Sequence, residues 1–246
     1  MTNSSPIALI TGGSRGLGRA TALALATAGV DVVITYNSNE DAAREVVAAV
    51  EALGRRGTAL ALDTGDVASF GAFVDALPDG KLDILVNNAG GSLHASLAET
   101  TEAQFDEVFA VHVKGPFFLT QVLLPRLADG AKIINISTGL TRFSFPGSGA
   151  YGAAKGAIEV LTKYQALEFG ARGITANVIA PGAVPTDFSG GMVRDSAEMQ
   201  QVITGDTALG RLATPEDIGQ AIAGLVTASG TWVSGQRIEA SGGFRL

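Results

Sequence analysis

Short runs of aliphatic and β-branched residues alternate with longer stretches of helical periodicity along the whole chain. Ile7–Ile10, Val32–Thr35, Ala59–Leu62, Ile84–Val86, Ile133–Ile136, Thr175–Ile179 and Arg237–Glu239 read as strands. Leu17–Ala28, Glu40–Leu53, Val67–Leu77, Thr101–Leu127, Tyr151–Phe169 and Pro215–Thr227 read as helices. Several strands are apolar throughout, as expected when helices cover both faces of a parallel sheet. The alternation predicts an α/β fold: a doubly wound parallel sheet of about seven strands between two helical layers. Thr214 followed by Pro215, Glu216 and Asp217 supplies an N-cap, an N1 proline and first-turn acids for the last helix. No Pro/Ser-rich linker, charge run or short repeat interrupts the chain, so residues 1–246 read as one domain. Thr186–Gly210 stands apart, with glycines among scattered apolar residues, and reads as a mobile lid over a site.

Composition narrows the function. A chain that is 46% hydrophobic can build a large core and is not globally disordered. A net charge of −7 argues against a general nucleic-acid binder, which needs a basic face. The absence of cysteine removes disulfides, thiolate metal sites and a Cys nucleophile. With only His94 and His112, a multi-histidine metal site is not expected. Met1–Ile10 lacks the basic start of a signal peptide, and the uncharged stretch Ile218–Gln236 is broken by Gly, Ser, Thr and Gln. The expectation is a soluble cytoplasmic protein with no membrane or nucleic-acid partner.

Candidate chemistry begins after the first strand, where Thr11-Gly12-Gly13-Ser14-Arg15-Gly16-Leu17-Gly18 opens directly into a helix. Glycines permit a tight turn and close backbone approach to a phosphate, and the helix N-terminus offers free N–H groups. The strict G-x-G-x-x-G spacing is absent, and the same glycines would also serve a plain strand–helix turn. Gly12–Gly16 additionally fits G-x-S-x-G, a hydrolase nucleophile elbow, with Ser14 as nucleophile. Against that alternative, Ser14 follows the first strand, and no oxyanion segment precedes it. At the tip of the second strand, where NAD sites carry an acid, stand Tyr36, Asn37 and Ser38. Arg15 in the turn could pair with a 2′-phosphate, so the expected cofactor is NADP(H) rather than NAD(H).

Tyr151 and Lys155, four residues apart on a helical stretch, share one face. A neighbouring ammonium favours phenolate, and a downward shift of about three units would bring the phenol near pH 7. Such a pair is also common on plain exposed helices. Its company makes it specific. Thr11–Gly18, Asn87-Asn88-Ala89-Gly90, Tyr151–Lys155 and Pro181-Gly182 with Thr186 follow in the order and spacing of the short-chain dehydrogenase/reductase family, which the chain resembles essentially end to end, through Ser241-Gly242-Gly243.

The resemblance implies a Rossmann-type sheet and reversible hydride transfer between NADP(H) and a carbonyl or alcohol carbon. Tyr151 would be the general acid or base, and Lys155 would hold the ribose and lower the tyrosine pKa. Gly12, Ser14, Gly16, Leu17 and Gly18 would meet the pyrophosphate, and Asp63 and Thr64 the adenine. Asn87, Ala89 and Gly90 would line the adenosine and ribose side. Pro181, Gly182, Val184 and Thr186 would reach the nicotinamide end. The chain departs from the pattern twice. Thr138, 13 positions before Tyr151, stands where the family usually has the Ser that binds the substrate oxygen, with Ser137 expected on the opposite face. His112 stands where the family usually has an Asn in a proton relay; a neutral imidazole can donate and accept, and its titration would add a pH dependence.

Leu93, Leu140, Phe145, Phe188 and Met192 lie beside these motifs and are expected to face substrate, with Arg142 and Arg194 the candidates for a substrate carboxylate. The apolar set favours a neutral ketone or an acyl thioester, a 3-oxoacyl substrate among them. Helix Tyr151–Phe169 is apolar around much of its circumference, so a homo-oligomer, dimer or tetramer, is expected to cover what the sheet does not. The competing reading is an NADP(H)-binding sensor or scaffold with little turnover.

Overall fold

The computed structural model describes residues 5–227 and 232–246; residues 1–4 at the N-terminus and 228–231 within the uncharged stretch Ile218–Gln236 lie outside the described residues. Seven parallel strands form one sheet: β1 (Ile7–Ile10), β2 (Asp31–Tyr36), β3 (Gly57–Ala61), β4 (Leu82–Asn87), β5 (Leu127–Ile136), β6 (Thr175–Pro181) and β7 (Arg237–Ala240), in the order β3-β2-β1-β4-β5-β6-β7. The helices are α1 (Gly16–Thr27), α2 (Glu40–Ala52), α3 (Phe70–Asp75), α4 (Glu102–Phe109), α5 (Gly115–Leu123), α6 (Gly149–Phe169), α7 (Met192–Asp195), α8 (Ala197–Gly205) and α9 (Pro215–Thr227).

Two apolar layers hold the sheet. Ile10, Val32, Ile34 and Val86 pack against α1, α2 and α9 on one face; Leu9, Leu85 and Ile133 pack with Leu119, Leu123 and Phe70 on the other. Each such side chain contributes roughly 1.5–3 kcal/mol on burial. The order of strands reverses between β1 and β4, so the crevice for a ligand opens at their C-terminal ends. The expected cap of α9 is present: the Asp217 amide donates to Thr214 Oγ1 (3.2 Å), and the Thr214 amide donates to Asp217 Oδ2 (2.8 Å).

Two helical expectations are corrected. The stretch Thr101–Leu127 is α4, a widened π turn over Ala110–Lys114, and α5 with Pro116 in its first turn. It ends before Pro125, whose ring cannot continue a helix, and Leu127 already belongs to β5. The stretch Val67–Leu77 is a 3₁₀ turn at Val67–Ser69 followed by the short α3. Thr186–Gly210 has structure of its own, a 3₁₀ turn at Phe188–Gly191 followed by α7 and α8.

Candidate active site

The glycine-rich turn is fixed from three sides. The Gly12 amide donates to Thr35 Oγ1 (3.1 Å) and the Gly13 amide to the Thr35 carbonyl (2.8 Å). Asn88 Nδ2 donates to the carbonyls of Thr11 (2.9 Å) and Gly12 (3.1 Å). Thr11 Oγ1 accepts from the amides of Asn88 and Ala89, both at 3.0 Å. Asn88 is therefore central to the turn, a role its residue type alone does not announce. Its signal was position alone, inside Asn87–Gly90.

Gly12 and Gly16 have φ of +65° and +54°, left-handed values that favour glycine. A Cβ at Gly12 would come within 2.9 Å of Ala89 Cα, and one at Gly18 would strike the Gly12 carbonyl oxygen. A Cβ at Gly16 would meet only the Thr186 side chain, at 3.9 Å, so Thr186 faces the turn across a gap. The N-cap of α1, Arg15, makes no side-chain capping bond, and the first turn carries no acid. Backbone N–H groups and the positive end of the dipole are left for an external anion. This cradle fits a dinucleotide pyrophosphate.

Around it, Asn37 and Ser38 are exposed and Tyr36 is half-buried at the tip of β2. Arg15 is exposed and makes no ion pair among the described residues, whereas Arg44, on α2, is tied to Glu40 (2.7 Å). Asp63 is exposed and accepts from the Gly65 amide (2.8 Å), while Thr64 is buried. Leu17 and Val184 pack against the core, and Pro181 closes β6. Gly182 lies so close to the C-terminal segment that a Cβ there would come within 2.9 Å of Ser241 Cα.

Asn87 requires a correction. Its side chain turns away from the crevice into the core, where Nδ2 donates to Asn135 Oδ1 (2.8 Å); Asn135 Nδ2 donates on to Thr162 Oγ1 (2.8 Å) and Gln165 Oε1 (2.7 Å). Buried amides need partners, and this ladder supplies most of them.

The second cluster forms where β5 ends. Tyr151 sits in the first turn of α6, 7% exposed, with Phe188 against one side of its ring (centroids 5.9 Å apart) and His112 edge-on at 5.2 Å. The Thr138 side chain lies beside the phenol. Lys155 Nζ lies 5.7 Å from the tyrosine ring centroid and donates to the Ile136 carbonyl (2.7 Å). Ser137 points the other way, its hydroxyl donating to Glu159 Oε1 (2.7 Å).

The electrostatics of the cofactor-free site are set by burial. Burial pushes the Tyr151 phenol above its ordinary value, and the neighbouring Thr138 hydroxyl offsets this only in part. Burial also lowers Lys155 to about 7, so the ammonium expected to acidify the phenol is itself poorly solvated. Burial and the charge of Lys155 lower His112 to about 3, so it stays neutral at physiological pH and adds no titration there. In the neutral ring Nε2–H donates to the Gly91 carbonyl (2.7 Å), leaving Nδ1 a buried acceptor without a partner. His112 fits only because residue 90 is glycine: a Cβ there would overlap the imidazole.

The mouth is apolar. Phe188 and Phe145 are exposed, and Leu93, Leu140 and Met192 are half-buried on the surrounding loops. Arg142 and Arg194 are not free for a substrate carboxylate. Arg142 is bound to Glu239 (2.8 Å), and Arg194 to Asp187 and Asp195 (2.7 Å to the latter). With His112 bonded to Gly91 and no histidine hydrogen-bonded to Ser14, the hydrolase alternative lacks its base among the described residues. No group of three or more metal-ligating side chains, and no helix long and apolar enough to cross a membrane, occurs among them.

Residues 12–245 match the family model described as enoyl-(acyl carrier protein) reductase. The chain belongs to the short-chain dehydrogenase/reductase family. A hydroxynaphthalene reductase-like protein of Metarhizium brunneum is 36% identical, the alignment covering 96% of this chain and 94% of that protein. The promiscuous reductase LugOII, which catalyses keto-reduction at C1 in lugdunomycin biosynthesis, superposes with a TM-score of 0.89 at 38% identity, over 98% of this chain and 97% of that one. The angucycline C-6 ketoreductase LanV, solved with bound NADP, gives 0.89 at 35% identity over 98% and 95%. The family, the fold and the oxidoreductase class agree with the sequence-based expectation.

Proposed function

We propose that this protein is an NADP(H)-dependent reductase of neutral ketones, with Tyr151 as the proton donor. The observation that carries the reading is the convergence, at the C-terminal edge of one sheet, of an uncapped helix N-terminus over a glycine cradle with buried Tyr151 and Lys155 beside a half-buried Thr138. NADPH, when bound, supplies the hydride. Gly12, Gly16 and the α1 amides hold the pyrophosphate, Arg15 the 2′-phosphate, and Lys155 the ribose hydroxyls. Thr138 orients the substrate oxygen, and Tyr151 delivers a proton to it. Burial raises the phenol's pKa and so keeps it protonated in the cofactor-free protein.

The arginines consumed in ion pairs and the aromatic mouth favour an uncharged substrate, with flat aryl ketones and 3-oxoacyl thioesters the leading classes. The 3₁₀ turn with α7 and α8 acts as the lid, bringing Phe188 onto the tyrosine. A homo-oligomer covers the outer face of α6, where Val160, Tyr164 and Leu167 are exposed. Light scattering at micromolar concentration checks this, and a monomer overturns it.

The test is NADPH consumption across aryl ketones, diketones, quinones, sugars and β-ketoacyl thioesters. Reduction of at least one ketone, abolished in Tyr151→Phe while NADPH still binds, supports the reading. A wild type that binds NADPH and reduces none of them leaves the sensor or scaffold reading standing instead.

A further inference from the structure

A chain of alternating charges runs beneath the turn that carries Thr138. Glu159, one helical turn beyond Lys155 on α6, accepts from Ser137 Oγ (2.7 Å), Thr141 Oγ1 (2.7 Å) and Arg237 Nε (2.8 Å). Arg237, on β7, also donates to Glu239 (3.1 Å), to the Thr138 carbonyl (3.1 Å) and to Thr141 Oγ1 (3.2 Å). Glu239 takes a two-pronged contact from Arg142 (2.9 and 2.8 Å). Arg142 in turn donates to the carbonyls of Phe244 and Arg245. The side chains of Arg237, Glu159 and Glu239 are 23%, 17% and 21% exposed, shielded enough for these pairs to exceed ordinary surface salt bridges.

The geometry at Thr138 gives this chain a use. Thr138 is extended (φ −157°, ψ 157°), with Ser137 pinned on one side and its own carbonyl held by Arg237 on the other. With the backbone fixed at both ends, only χ1 can redirect the hydroxyl, and a β-branched side chain restricts that torsion.

We propose that Glu159 and Arg237, backed by Glu239 and Arg142, are positioning residues that aim the Thr138 hydroxyl at the substrate oxygen and couple that aim to the C-terminal segment. The proposal rests on the reading of Thr138 given above. None of the four touches the reacting atoms, so their effect travels through Thr138. A guanidinium fork is required at 237 because four separate acceptors, Glu159, Glu239, the Thr138 carbonyl and Thr141 Oγ1, are bridged at once, which a lysine ammonium cannot match in plane.

The experiment combines kinetics with methyl NMR. NADPH affinity, kcat and KM are measured for wild type, Arg237→Met, Arg237→Lys, Glu159→Ala, Glu159→Gln and Arg142→Ala, with the panel ketone the wild type reduces best. The Thr138 methyl signal, assigned by its loss in Thr138→Ser, is recorded for each folded variant. Arg237→Met and Glu159→Ala are expected to lose up to about 100-fold in kcat/KM with NADPH affinity unchanged, the effect of a small displacement at a reacting group. Glu159→Gln keeps an acceptor oxygen and is expected to recover most of the loss. The Arg237→Met/Glu159→Ala double variant is expected to be no worse than either single one. The Thr138 methyl is expected to shift in both damaging variants and to return in Glu159→Gln. Wild-type kcat/KM in Arg237→Met, equal losses in Glu159→Gln and Glu159→Ala, or a loss matched in NADPH affinity would overturn the proposal. If Arg237→Met does not fold, Glu159→Ala against Glu159→Gln carries the same comparison, and Arg237→Lys is expected to lose activity because it cannot reach all its acceptors. Should the wild type reduce no ketone, the functional reading falls by itself, and an unmoved Thr138 methyl would then sink the positioning device separately.

Discussion

The two ends of the crevice are built from different materials. The end below β1 and β4 is made of backbone: left-handed glycines, an uncapped helix start, and hydroxyl and amide side chains that hold main-chain atoms in place. The end below β5, β6 and β7 is made of side chains: a buried phenol and ammonium, a neutral imidazole, and a relay of acids and arginines behind them. A backbone site depends on shape, and at Gly12 and Gly18 it has no room for a Cβ. A side-chain site depends on charge and desolvation, and its properties change with its neighbours.

The sharpest break of this contrast is Tyr151→Phe, which removes one oxygen from the side-chain end. It is expected to cut ketone turnover by about 100- to 10,000-fold while NADPH affinity, measured by fluorescence, stays put. Gly18→Ala reverses the pattern. Its methyl would press on the Gly12 carbonyl and, at 2.7 Å, on the Asn88 amide, and NADPH affinity is expected to fall by about tenfold or more. Arg15→Ala is expected to lower the NADPH-over-NADH ratio of kcat/KM by about tenfold, the worth of one charge-assisted contact. An unchanged ratio would remove Arg15 from the cofactor site.

Two smaller effects are electrostatic. Lys155 is lowered to about 7 from 10.5, so its protonated form costs folding energy at pH values below about 7. Between those two values the unfolded chain binds the extra proton, and stability of the cofactor-free protein rises with pH. Lys155→Met is therefore expected to raise Tm at pH 6, by about 2–4 °C per kcal/mol relieved, and to gain least in alkali, as calorimetry would read. His112, lowered to about 3, is expected to leave no inflection in the pH profile of kcat/KM between pH 5 and 8. An inflection there that vanishes in His112→Asn would show the ring to be solvated when the enzyme works.

The backbone end was legible in the sequence because glycines, strand tips and helix starts are local signals. Gly12, Gly16 and Gly18 carry their geometry within a single turn. The side-chain end was only half legible. Tyr151 and Lys155 are one helical turn apart and could be paired by eye, but the contact from Arg237 to the Thr138 carbonyl spans 99 positions and leaves no periodic trace. The burial that raises the phenol's pKa in the cofactor-free protein was hidden for the same reason. Burial by Phe188, 37 residues downstream in sequence, cannot be seen from a helical spacing. Asn87 was misplaced because a polar residue beside a family motif looks functional, and only the fold reveals that it faces Asn135. The long helix was overextended because its apolar periodicity carries on through the π turn and past Pro125.

The buried amide ladder carries a consequence for how the crevice is assembled. Asn87 and Asn135 are also direct neighbours across β4 and β5 in the sheet register. Sliding one strand past the other would strand several amide and hydroxyl groups in a dry interior, each at a cost of roughly 1–3 kcal/mol. The pair thus works as a vernier, stopping both strands at a common level so that the loop bearing Gly90 and the loop bearing Thr138 set out from the same height. The alignment of the two halves of the crevice is decided inside the protein, among side chains buried in its core.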